Sequence, residues 1–135
     1  MKKAITDTAS FRLINSSTLE ITYFDDITVE CEDVLENISA IKQLTGDQEM
    51  KFIVVVNEFT QFTLESKKLM IEENAEASGK IIAEAIVANS LANRLFENYY
   101  MNKNKLLYPI KIFPSYIEAK QWIENFDPES EKSNN

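Results

Sequence analysis

No histidine occurs among the 135 residues. That absence excludes Ser-His-Asp and Cys-His nucleophilic centres and every histidine-ligated metal site. One cysteine, Cys31, leaves no internal disulfide and no cysteine cluster for zinc or iron–sulfur chemistry. Nothing in this inventory calls for an oxidising compartment. The two glycines, Gly46 and Gly79, stand far apart. Neither a Walker loop nor a dinucleotide fingerprint can be assembled from them, because both need clustered glycines for close backbone approach to phosphate. Only two arginines are present, Arg12 and Arg94, and the net charge is −8. A phosphate backbone needs a basic face. Lys103, Lys105 and Lys111 supply at most a small patch, so nucleic acid is not an expected partner. No apolar run approaches the ~20 residues of a membrane span. The start, Met1-Lys2-Lys3-Ala4-Ile5-Thr6-Asp7, carries positive charge without an apolar h-region. The expectation is a soluble, cytoplasmic protein with no membrane partner and no cofactor.

What is present suits one globular core. Apolar residues make up 44% and charged residues 27%, a balance that needs no staple at this length. Residues 1–8 read as a loose arm, 9–126 as the domain and 127–135 as a polar, disordered tail. Phe11-Arg12-Leu13-Ile14 and Leu19 to Phe24 read as strands, joined through the polar turn Asn15-Ser16-Ser17-Thr18 as a hairpin. Thr28 is a candidate N-cap. Cys31, Val34, Leu35, Ile38, Ile41 and Leu44 follow at helical spacing, and Gly46 stops that helix. Phe52-Ile53-Val54-Val55-Val56 is a continuous apolar run, as in a strand covered on both faces. A loop from Asn57 to Phe62 follows, then a helix from about Leu64 to Ala77 with Thr63 as its cap and a weak apolar face.

Ile81 to Ala88 reads as a second buried strand, and Ser90 caps a third helix bearing Leu91, Leu95 and Tyr99 or Phe96. Residues 102–107 form a polar loop. Tyr108 to Phe113 is the last strand, with Pro109 tolerated near its start. Ser115 and Glu118 make a capping box, ahead of Ala119, Trp122, Ile123 and Phe126 on one helical face. The order is β-β-α-β-α-β-α-β-α. Strands that alternate with helices imply parallel crossovers, hence one mixed sheet with helices packed on it.

Two stretches go further. Ile86-Val87-Ala88-Asn89-Ser90-Leu91-Ala92-Asn93-Arg94-Leu95 and Ile112-Phe113-Pro114-Ser115-Tyr116-Ile117-Glu118-Ala119-Lys120-Gln121-Trp122-Ile123 resemble segments of small bacterial STAS/SEC14-like proteins, related to the anti-sigma-factor antagonists. The element order is also that of the STAS fold, and the resemblance spans roughly residues 10–126. It implies an α/β, STAS-like domain without enzymatic activity that docks an as yet unidentified regulatory protein. In such domains a Ser or Thr at the start of the helix after the central strand is sometimes phosphorylated. The helix start points to Thr63, and the family's acidic-then-serine pair resembles Glu65-Ser66, so both remain candidate phosphoacceptors. The sequence departs from the pattern in having Asn57 where an aspartate is usual, and Lys67 and Lys68 where a glycine follows the acceptor.

Each remaining candidate has a plain structural reading beside the functional one. Phe59 and Phe62 either close the core or project, with Lys67 and Lys68, as a partner contact. Asp25, Asp26, Glu30, Glu32, Asp33 and Glu36 either hold a hard cation or complement a helix dipole. The EF-hand glycine is missing, so no metal is expected. Cys31 reads as a buried, inert thiol. Among the aromatics, Tyr99, Tyr100 and Trp122 read mainly as core by spacing, with Tyr100 the candidate for exposure. No carboxylate pair declares itself as an acid–base couple, so catalysis is not expected. The first functional expectation is a protein-interaction module. The alternative is a carrier of a small molecule or lipid, with its pocket beside the weakly amphipathic second helix. Self-association into a homodimer through an edge strand or an aromatic patch is a further expectation.

Overall fold

The computed structural model describes residues 2–77, 80–88, 90 and 108–128. The expected third helix, the loop at 102–107 and the tail beyond 128 lie outside them. Eight strands and three helices are present among the described residues: β1 (Lys3–Ile5), β2 (Ala9–Asn15), β3 (Thr18–Tyr23), β4 (Ile27–Val29), α1 (Cys31–Thr45), β5 (Met50–Val56), β6 (Thr60–Phe62), α2 (Leu64–Glu76), β7 (Ile81–Ala88), β8 (Ile110–Phe113) and α3 (Tyr116–Asn125). The main sheet has six strands in the order β1-β2-β3-β5-β7-β8. Its first three strands are antiparallel, and β3, β5, β7 and β8 are parallel. The expected α/β class with a mixed sheet is what the chain adopts.

Alternation along the strands divides the core into two layers. Phe11, Leu19, Ile21, Tyr23, Met50, Val56 and Ile86 face α1 and α2, where Val34, Ala40, Leu69 and Met70 meet them. Ile53, Ala83, Ala85, Val87 and Phe113 face Ala119, Ile123 and Phe126 of α3. Ala83 and Ala85 of β7 are completely buried; their small side chains let α3 approach the sheet closely. Lys51, at the start of β5, crosses to the far end of α3. Its ammonium donates to the carbonyls of Ile123 and Phe126 at 3.0 and 3.1 Å, which places a cation at the helix C-terminus. At the other end the Ser115 hydroxyl accepts from Glu118 N–H at 3.3 Å, as the capping spacing predicts.

The loose arm expected over residues 1–8 is corrected by the structure. Lys3–Ile5 pair with β2, and the turn that follows is locked by a buried polar knot. The Thr6 hydroxyl donates to Asn37 Oδ1 at 2.6 Å, and Asn37 Nδ2 donates to the Thr8 hydroxyl at 3.0 Å. Thr8 and Asn37 are both 4% exposed. A polar side chain on the inner face of α1 therefore fastens the N-terminal strand, which three residues of pairing could not do alone. The cap of α1 also differs from expectation. Thr28 lies within β4, and Glu30 is the cap residue, its N–H donating to the Asp33 carboxylate at 2.9 Å. The inner face of α1 is rotated accordingly. Leu35 is 53% exposed, while Asn37 takes a core position and Cys31 is half-buried.

Asn37→Ala should lower the unfolding free energy by about 2 kcal/mol, because it leaves two buried hydroxyls short of a partner. A reduced urea midpoint is the expected readout. An unchanged midpoint would mean that strand pairing alone holds the N-terminal segment.

Candidate functional site

Parallel strands end at a common edge, and β3 and β5 leave the sheet side by side there. Their continuations meet again as a second, two-stranded sheet: β4 pairs with β6 in parallel, Ile27 with Thr60 and Val29 with Phe62. This edge is where the residues singled out between 57 and 68 come together. Asn57 Nδ2 donates to the Tyr23 carbonyl at 2.6 Å. An aspartate could not make that bond, so the amide at this position has a structural use. The Thr60 hydroxyl donates to the Phe24 carbonyl at 2.8 Å. Phe59 N–H donates to the Asp25 carboxylate at 2.8 Å. That carboxylate also accepts from Asp26 N–H at 3.0 Å, and Asp26 takes a positive φ of 56°. The loop is thus tied at several points.

The two aromatics of this loop part company. Phe62 is half-buried and packs edge-on against Tyr23, with ring centroids 5.2 Å apart. Phe59 is 59% exposed and Leu64, at the start of α2, is 62% exposed. Lys68 is exposed and Lys67 half-buried. The two hydroxyls differ as sharply. Thr63 is half-buried and caps α2, its Oγ1 accepting from Ser66 N–H at 3.1 Å. Ser66 is fully buried, and its own hydroxyl donates to the Thr63 carbonyl at 2.9 Å. A kinase could reach Ser66 only if the first turn of α2 opened.

Two further groups of titratable residues stand elsewhere. The Arg12 guanidinium holds the Glu20 carboxylate through Nε at 3.0 Å and Nη2 at 2.6 Å. Burial and the neighbouring Glu20 carboxylate push the Tyr116 phenol up to about 12. This cluster joins β2, β3 and the start of α3. Among the acids, Asp33 and Glu36 lie with Asp7, their carboxylate oxygens within 4.8 Å of one another. Asp7 was not among the acids that the sequence singled out, because the strand pairing that brings it to α1 was not expected.

The residue that sequence reasoning missed is Glu84. It stands in the middle of β7, in register with Phe52 on one side and Ile110 on the other. Strand alternation puts it on the face of Ile86 and Ala88, in the apolar layer shared with α1 and α2. Among the described residues none donates a hydrogen bond to its carboxylate or pairs with it. Burial pushes this carboxyl from an ordinary 4.5 up to about 7. The signal was a single acid inside the run Ile81-Ile82-Ala83-Glu84-Ala85-Ile86-Val87-Ala88.

The family described as a domain of unknown function, DUF7793, matches residues 13–127. No curated protein and no solved structure matches the chain. No helix among the described residues is long and apolar enough to cross a membrane.

The folded carboxyl of Glu84 holds a proton that the unfolded chain has already released across the window from 4.5 to about 7. Its contribution to stability is therefore greatest below the unfolded value and is lost as pH rises through the folded one. The loss amounts to about 3 kcal/mol. Glu84→Gln should flatten this slope and be more stable than the parent above neutrality. Urea unfolding at about pH 5 and about pH 8 measures it; equal slopes in the two proteins would rule out Glu84 as the source.

Proposed function

Because the chain belongs to the DUF7793 family, a domain of unknown function, we propose its role from geometry: a non-enzymatic module that docks a regulatory protein through the edge formed by residues 57–68. The carrying observation is Phe59. An exposed phenylalanine on a loose loop would mean little, but this one is held outward by a loop bonded to Tyr23, Phe24 and Asp25. Leu64, at the start of α2, is a second exposed apolar side chain of this segment, and the exposed Lys68 follows one helical turn later. A preordered aromatic anchor with a polar surround is the composition of an interaction hot spot.

The likeness to STAS domains belongs to this reading, as does a cytoplasmic setting. Of the two candidate phosphoacceptors, Thr63 is favoured. Its hydroxyl lies at the N-terminus of α2, where free N–H groups and the helix dipole stabilise a phosphate, whereas Ser66 is closed off. A second reading, a small-molecule carrier, draws on Glu84, whose carboxyl has no partner among the described residues of its apolar layer and is the kind of polar group that orients a ligand.

Affinity purification from the source cells should recover a stoichiometric protein with the parent chain. The Phe59→Ser/Leu64→Ser variant should lose it, and Lys67→Glu/Lys68→Glu should retain less of it, with thermal midpoints unchanged. Equal recovery with all three chains would remove this edge as the docking surface. A bound lipid or metabolite without any protein would favour the carrier reading.

A further inference from the structure

The opposite layer carries a different feature. A groove of about 730 Å³ runs along α3, floored by Phe113, Trp122 and Phe126 and rimmed by Glu118, Gln121 and Asp127. The three rings form one cluster. Trp122 lies tilted to Phe113 at 5.8 Å and edge-on to Phe126 at 5.2 Å. Phe113 and Phe126 are buried, so Trp122 supplies most of the accessible aromatic surface. Aromatic faces attract cations, and this cluster already does so at one edge, where the Lys111 ammonium stands 5.6 Å from the Phe113 centroid. The charges of the rim have the same sign as the chain as a whole, which carries −8.

The aromatic floor and the two rim carboxylates, Glu118 and Asp127, stand in a groove of dimensions within the ~300–1,000 Å³ of ligand sites. They suit a planar cation on an apolar stem. We propose that this groove docks an arginine or lysine side chain from a basic segment of a partner polypeptide. Arginine fits better, because its guanidinium stacks on an indole while its edge donates to carboxylates. The surface is separate from the 57–68 edge, so the proposal stands or falls without it.

Trp122 is the chain's one tryptophan, and its emission reports on the groove alone. The full chain, titrated at low salt with a short arginine-containing peptide, should show a saturable change in that emission. The same peptide with citrulline for arginine should give none. Glu118→Gln retains an oxygen that can accept from Ser115 and so keeps the helix cap. It should weaken binding about threefold, the effect of losing one rim charge. Glu32→Gln, on α1, should leave the affinity unchanged. No response to the arginine peptide, an equal response to citrulline, or equal losses in Glu118→Gln and Glu32→Gln would each overturn the proposal.

Discussion

Strands β3, β5, β7 and β8 run in the same direction, and a parallel block must be covered on both faces. Most of the architecture follows from that requirement. The long apolar runs at β5 and β7 have no polar face to show to water. Helices α1 and α2 close one side, and α3 closes the other. Parallel strands also emerge at one edge, so the segments after β3 and β5 are brought together there, and the small β4–β6 sheet forms between them. The region that presents Phe59 is therefore a by-product of strand direction. No special sequence motif was needed to build it.

Much of this was legible in the sequence, for reasons that can be named. The run Ile81 to Ala88 coincides with β7 at both ends, because an apolar stretch bounded by polar residues has no other stable placement. The α3 helix was legible because its cap and its apolar spacing agreed. What stayed hidden was set by tertiary contact. Strand β1 has three residues, too few to show a period, so its place in the sheet appears only in its pairing with β2 and in the bond between Thr6 and Asn37. Strands β4 and β6 are too short to show a period. Spacing placed Leu35 on the inner face of α1, but Asn37 holds a core position in its stead because its amide is needed by two hydroxyls.

The candidate site was legible in outline only. Residues 57–68 could be chosen from helix-start chemistry and aromatic content. Which phenylalanine packs and which projects depended on Tyr23, a residue on another strand. The same limit applies to Thr63 and Ser66, both offered by the sequence, of which the first is half-buried and the second fully buried. Glu84 was visible as an anomaly, but its meaning depends on neighbours from β5 and β8 that no local window contains.

The sheet's two outer strands bear on how the chain survives its own synthesis. An open strand edge is a template for another chain, and long flat edges seed aggregates. Here β1 offers three residues and β8 four. Pro109 and Pro114 bracket β8, and Lys111 stands exposed between them. A neighbouring strand would find few hydrogen bonds to make and a charge to bury. Among the described residues the sheet is thereby terminated at both sides by brevity, proline and lysine, which gives crowded copies of this domain little to zip together through these edges.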